Sequence, residues 1–264
     1  MSIALDRGLA LLEHLARHPQ GLPLSMLATE LDIPLSACHR LLAALQARGY
    51  VRQLRAQGDY VLTTRMVSLG LAFLSSAGIV DVAEPLLERL ALASGELVRL
   101  SIVDEDHLTW VAKSQGLRQA GLRYDPDMGM EARLSCTASG HGWLMTLSDE
   151  RAMELVSRQG FGAPAGYGPR APTTVKSLLG FLHAARVRGY AVIDEVFAPG
   201  MAAIAAPVLR RQQAIGVISI AGPRTRLDKE RLHALAPMLL AVCAELGPIS
   251  NASSLFGRPP LGKG

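Results

Sequence analysis

Ile33-Pro34-Leu35-Ser36-Ala37-Cys38-His39-Arg40-Leu41-Leu42, running on through Leu45 to Gly49-Tyr50-Val51, is the stretch that decides the N-terminal fold. Cys38, Leu41, Leu42 and Leu45 fall at i, i+3, i+4 and i+7, which makes one apolar stripe of a helix over 35–48. Pro34 suits the first turn of that helix, where its missing N–H costs nothing, and Gly49 ends it. Working upstream, Leu24, Leu27, Ala28 and Leu31 mark a short helix over 24–31, separated from the first by the tight break Asp32-Ile33-Pro34. A longer helix over 4–18 turns Leu5, Leu9, Leu12 and Ala16 to one side, with Leu11 and Leu15 widening the stripe; His18-Pro19-Gln20-Gly21 closes it. Downstream, Tyr50–Leu54 and Tyr60–Leu62 read as two strands around Ala56-Gln57-Gly58-Asp59. Three short helices and a hairpin over 1–62 are the order of a winged helix-turn-helix.

Beyond the hairpin the pattern changes. An apolar helix over 65–77 reads as a connector, giving a linker over 63–79, and a helix over 81–94 carries Val82, Leu86, Leu87 and Leu90 in register. Leu97–Val103 and Leu108–Lys113 then read as strands joined by Asp104-Glu105-Asp106-His107, with Leu122–Tyr124 as a possible third. Helices are expected over 137–147, 149–157, 175–182 and 228–246, and strands at Tyr190–Ile193, Ala202–Val208 and Ala214–Ala221. Gln159–Arg170, rich in Gly and Pro, reads as a loop. The whole is an α+β chain: a winged helix-turn-helix over 1–62, then an antiparallel sheet with packed helices over 80–250 and a mobile tail over 251–264.

Composition narrows the function classes. In 264 residues, 49% are hydrophobic and 19% charged, so a sizeable core is available and global disorder is excluded. The net charge is only +4, and the first 65 residues hold seven Arg against five acidic groups, so DNA contact depends on where a few Arg stand. The outward face of the 35–48 helix offers Ser36, Ala37, His39 and Arg40: Arg grips guanine or phosphate, Ser a base edge or phosphate, and the Ala methyl meets thymine. Arg52 and Arg55 in the hairpin reach backbone or minor groove. The same pattern also suits a helical interaction domain with a solvated polar face. Cys38, Cys136 and Cys243 have neither metal-ligand nor disulfide-framework spacing, which fits a reduced cytoplasm, and no metal or cofactor is implied. No signal peptide is visible, and apolar stretches such as Met201–Leu209 are too short to span a membrane.

Four segments, in order, resemble IclR-type bacterial transcriptional regulators over roughly 5–247. They are Asp6-Arg7-Gly8-Leu9-Ala10-Leu11-Leu12; the opening stretch above; Gly189-Tyr190-Ala191 with Asp194-Glu195, Gly200 and Ala205-Ala206-Pro207-Val208; and Ile218-Ser219-Ile220-Ala221-Gly222-Pro223 with Arg226. The resemblance implies a GAF-like effector domain, assembly as a homodimer or tetramer, and a double-stranded operator with palindromic or repeated half-sites. The chain departs from the family at Ser36-Ala37, where Ser-Thr is common, and through Arg133–His141, where Pro, His and Lys of the family's segment are changed.

In relatives the positions matching Ala138, Ser139, Ala203, Ser219 and Ala221 surround a small carboxylic acid. Here Ile193 matches a position that is acidic in some of them. The shift implies a larger, flatter, more apolar ligand, an aromatic carboxylate. Physically, Cys136-Thr137-Ala138-Ser139-Gly140 opens a helix whose free N–H groups suit a carboxylate. Arg123 or Arg133 would pair with it, while Trp110, Met128, Met130 and Leu134 would supply apolar walls. Asp194 is a further candidate, or a turn-holding residue. Two rival functions stay open. One is a ligand-binding module acting on a protein partner. The other is a hydrolase using Cys136 or Ser139 with His141, against which stand the missing nucleophile-elbow glycines and the Ser139–His141 spacing on a helix. His14 and His18 at i, i+4 lack the Glu of a zinc-protease motif.

Overall fold

A computed structural model describes residues 2–55, 58–116, 129–162 and 166–250. The expected strand at 122–124 and the tail over 251–264 lie outside the described residues. The chain divides into two compact units, Met1–Ser76 and Ala77–Gly264.

In the first unit, α1 (Ile3–Ala16), α2 (Leu24–Glu30) and α3 (Leu35–Ala47) precede the wing strands β1 (Val51–Gln53) and β2 (Tyr60–Leu62). Leu11, Leu15, Leu27, Ala28, Ile33, Cys38, Leu42, Val51 and Tyr60 form one core. The expected stripe of α3 is therefore the buried one. That of α1 is not: Leu5 is 59% and Leu9 49% exposed, and Ala16 is exposed, while Leu11 and Leu15 carry the burial. The cause is reach, because the partners of α1 are α3 and β2, which lie against its C-terminal half. The wing is antiparallel, Val51 opposite Leu62 and Gln53 opposite Tyr60. Leu22 adds a bridge to it by exchanging both backbone hydrogen bonds with Tyr60, at 2.8 and 3.1 Å. The connector α4 (Thr64–Ala77) straddles the division between units, so the boundary falls inside the expected 63–79 linker.

The second unit opens with α5 (Ile79–Ser94) and is built on β3 (Leu97–Asp104), β4 (His107–Gln115), β5 (Ala191–Asp194), β6 (Met201–Arg210) and β7 (Gln213–Pro223). They form an antiparallel sheet in the order β4-β3-β7-β6-β5. On one face lie α5 and the terminal helix α9 (Lys229–Ile249), where the Cys243 thiol approaches the Ala206 carbonyl at 3.5 Å. On the other lie α6 (Ala138–Leu144), α7 (Asp149–Gln159) and α8 (Val175–Arg188). Helices on both faces leave β3, β6 and β7 buried almost throughout, so alternation is weak in these strands. α9 is long and apolar enough to cross a membrane by length and composition, a stretch the sequence reading passed over. Here it packs Leu232, Leu235, Leu239, Val242 and Leu246 inward, as the core helix of a globular domain does.

Candidate nucleic-acid interface and effector cavity

The turn between α2 and α3 is made by Asp32, at φ 50°, and by buried Ile33, whose N–H donates to the Ala28 carbonyl at 2.9 Å. Two helices are thereby fixed at a short separation in sequence, with the N-terminus of α3 held forward. Ser36, His39 and Arg40 are exposed there, as a reading face requires. Ala37 is not on the open face; it is half-buried and packs on the core. Leu35, 55% exposed, joins the face instead, an apolar side chain the sequence reading left out. Arg52 projects from β1 and Arg55 follows just after it, both exposed.

The second candidate site lies between the sheet and α6. Two glycines bring this helix close. A Cβ on Gly140 would stand 2.5 Å from the Leu134 carbonyl oxygen, and one on Gly142 would stand 2.9 Å from a Val217 methyl. Thr137 caps α6: its hydroxyl accepts from the Gly140 N–H at 2.9 Å and donates to the Arg133 carbonyl at 2.7 Å. Beneath the cap is a cavity lined by Arg99, Thr137, Ala138, Ile193, Phe197, Met201, Ala202, Ala203 and Ala221. It encloses about 20 Å³, little more than one water needs. Arg99 is 5% exposed, and its guanidinium lies 4.1 Å from the centre of the Trp110 ring. The Trp110 indole N–H donates to the Ser139 hydroxyl at 3.3 Å. Ser219, opposite Arg99 in the β3–β7 register, has a buried hydroxyl with no hydrogen bond among the described residues.

The sequence candidates divide. Thr137, Ala138, Ala203 and Ala221 line the cavity; Trp110, Ser139 and Ser219 stand behind or beside it. Arg133 is not among the cavity's lining residues and donates to the Gln159 carbonyl at 2.7 Å, clamping that loop. Leu134 and Cys136 belong to the core between sheet and helices. Met130 is half exposed and contributes its carbonyl to the Trp110 N–H at 3.2 Å. Asp194 pairs with Arg170 and Arg224, the turn-holding alternative. Arg123 and Met128 lie outside the described residues. The helix-opening argument also changes, because α6 has only seven residues and Thr137 already takes the Gly140 N–H. Arg99, Phe197, Met201 and Ala202 are the lining residues that sequence reasoning missed. For Arg99 a signal existed: a lone cation in Leu97-Val98-Arg99-Leu100-Ser101-Ile102.

Neither Cys136 nor His141 is poised for covalent chemistry. Burial pushes the Cys136 thiol up to about 12. Burial likewise lowers His141 to about 4, and its Nε2 is engaged with the Ser135 carbonyl at 2.8 Å. His14 contacts Glu30 at 2.6 Å and His18 contacts the His14 carbonyl at 2.9 Å, which accounts for that pair without a metal. No group of three or more His, Cys, Asp or Glu able to hold a metal exists among the described residues.

Two family profiles match the chain in the order of its two units. The IclR helix-turn-helix domain matches residues 4–55, and the bacterial transcriptional regulator IclR C-terminal matches residues 71–247. The chain belongs to the IclR family. This IclR-family protein is a DNA-binding transcription regulator with a C-terminal effector-binding domain. It is 29% identical over 245 residues to the acetate operon repressor of Salmonella typhimurium, covering 92% of this chain and 88% of the relative. It is 28% identical over 257 residues to the HTH-type transcriptional repressor AllR of Escherichia coli K12, covering 97% and 92%. Its fold matches the IclR transcriptional regulator of Alicyclobacillus acidocaldarius with a TM-score of 0.80 at 20% identity, over 95% of this chain and 99% of the other. It also matches an IclR homologue of Microbacterium hydrocarbonoxydans, complexed with 4-hydroxybenzoate, with a TM-score of 0.75 at 18% identity, over 95% and 100%.

Proposed function

We propose that this IclR-family regulator binds an operator through α3 and the wing, and that an organic acid with a flat, apolar body, an aromatic carboxylate, is its effector. The observation that carries the effector reading is the facing of small side chains: Ala138 on α6 against Ala203 and Ala221 on the sheet, with Ile193 beside them and Phe197 and Met201 half-exposed at the edge. Such a slot favours a thin apolar body. A ring would need this narrow space to widen, with Phe197 and Met201 at its edge the side chains placed to yield. The 4-hydroxybenzoate complex of the Microbacterium homologue supports this class of ligand for the fold. The buried, unactivated Cys136 and His141 support a sensor without enzymatic activity.

On the DNA side, Ser36, His39 and Arg40 read base edges and phosphates while Arg52 and Arg55 hold the backbone. Replacing Arg40 with Ala should weaken specific binding to the DNA upstream of the regulator's own gene by about fivefold to a hundredfold or more in a mobility-shift assay, since a good base contact is worth ~1–3 kcal/mol. Unchanged affinity with an intact circular dichroism spectrum would remove α3 from the reading role. Thermal-shift measurement against benzoate, 4-hydroxybenzoate and short aliphatic acids tests the ligand class, because a ligand of the native state raises Tm. A response to the aliphatic acids alone would refute the aromatic reading. Operation as a homodimer or tetramer in the cytoplasm completes the proposal. It is supported by the exposed apolar residues Ile3, Leu5 and Leu9 on α1 and Val67 and Leu71 on α4, suited to a second copy.

A further inference from the structure

We propose that the groove where β5 runs between α8 and α9 is a second small-molecule site, and that it takes an organic anion with an apolar body. The groove is separate from the effector cavity and does not depend on it. Successive residues of a strand face opposite ways, and on β5 Ile193 lines the cavity while its neighbours Val192 and Asp194 line the groove. β5 is the last strand in the order β4-β3-β7-β6-β5, so among the described residues no further strand flanks it on that side. The walls come from the two helices. Phe181, Ala184 and Arg188 share one face of α8, and Lys229, Leu232 and His233 share one face of α9. Phe181, Val192 and Leu232 make the floor apolar, and Ala184 is too small to fill the space above it. The groove opens over about 430 Å³, inside the ~300–1,000 Å³ of small-ligand sites.

Its charge is one-sided. The acid in the lining, Asp194, is taken up by Arg170 and by Arg224, the latter at 2.8 Å. Arg188 and Lys229 are exposed and form no ion pair with any described residue. Arg188 has an aromatic neighbour instead, its guanidinium carbon 5.8 Å from the centre of the Tyr190 ring. Tyr190 is in turn tied to α9, its hydroxyl 2.7 Å from His233 Nδ1. That bond joins the strand end after α8 to α9 and fixes the width of the groove there. With the hydroxyl donating to Nδ1, the neutral imidazole carries its proton on Nε2, a donor on a residue that lines the groove. Two cations without acid partners beside an apolar floor hold a positive potential that a bound anion lowers. An inorganic ion would leave the floor bare, and a neutral apolar compound would leave both charges uncompensated. An anion with a hydrocarbon body answers both.

The test titrates the full-length protein with anilinonaphthalenesulfonate, followed by its fluorescence, and with N-phenylnaphthylamine, the same ring system without the sulfonate. Wild type should bind the sulfonate saturably and about tenfold more tightly than the neutral dye, the worth of one charge-assisted contact. Arg188→Gln combined with Lys229→Gln should remove that preference by weakening the sulfonate and leaving the neutral dye unchanged. Both side chains are exposed, so their loss leaves the core intact. Ala184→Trp, which fills the groove from its wall, should weaken both dyes. No saturable sulfonate binding by wild type, equal binding of the two dyes, or sulfonate binding unchanged in the double Gln variant overturns the proposal. So does dye binding that Ala184→Trp leaves intact, which would put the dyes in the effector cavity or on the exposed leucines of α1. A double Gln variant that gains the neutral dye and sediments more slowly than wild type would assign the groove to a second copy of the chain and overturn the small-ligand reading.

Discussion

His141 shows how one residue in this site is committed to structure. Its ring lies between α6 and Phe181, 5.3 Å between centroids, with Nε2 bonded to the Ser135 carbonyl and Nδ1 buried without a hydrogen bond among the described residues. Burial lowers it to about 4, so the folded state holds it neutral while the unfolded chain protonates near 6.5. Between those values the unfolded state binds more protons, so the stability this residue contributes is complete above about pH 6.5 and lost as pH falls toward about 4. At ~1.4 kcal/mol per pKa unit the loss is about 3 kcal/mol. Urea unfolding from pH 7 to pH 4 should show that slope, and His141→Phe should flatten it; an unchanged slope would place the titration elsewhere. From sequence alone, His141 enters only as the base of a rival hydrolase reading that its spacing from Ser139 already disfavours, because residue type is visible there and solvation is not. Arg99 fails the opposite way: a lone cation among Leu, Val and Ile is conspicuous, yet only the fold shows it buried against Trp110.

At the scale of elements, α6 is placed by what it lacks. A methyl at position 140 would meet the Leu134 carbonyl oxygen at 2.5 Å and its Cα at 2.6 Å, backbone that cannot rotate away. Gly140→Ala should therefore destabilise by about 1–3 kcal/mol in urea, outweighing the ~1 kcal/mol that Ala gains in a helix. A net gain would show the approach to be soft. On the far side of β3, Glu96 is bound bidentately by Arg226, at 2.5 and 2.7 Å, tying the start of the strand to the loop before α9. Glu96 is 3% exposed, so Glu96→Ala strips a buried partner and should cost about 3 kcal/mol in the same assay. Helices were the more legible elements. The stripes of α2 and α3 emerge from spacing because one face of each is wet. Strands buried on both faces, β3, β6 and β7, show little alternation, so apolar runs and turn residues located them instead. α1 misled because its apolar pattern continues past the core it serves: Leu5 and Leu9 are periodic and exposed.

For the whole molecule, those exposed leucines become a matter of assembly. If a second copy covers them, Leu5→Glu with Leu9→Glu should shift the sedimentation coefficient toward the monomer and weaken operator binding, since one protomer then presents one recognition helix. A dimer unmoved by both charges would assign the contact to another surface. The order of two units, three helices and a wing followed by a helix-flanked sheet, was legible from local pattern. The cavity was only partly so. Its small residues at 138, 203 and 221 come from α6, β6 and β7, far apart in the chain, and only the resemblance brought them together. Its closure was not legible at all, because side-chain packing at Phe197 and Met201 has no signature in spacing. That closure has a kinetic consequence. A site with room for about one water offers nothing to a ring until it opens, so only the open fraction of molecules is competent at any instant. The rate of ligand capture should then level off at high ligand concentration, at the rate of opening. Smaller side chains at Phe197 or Met201, which widen the edge of the site, should make the switch respond to lower concentrations.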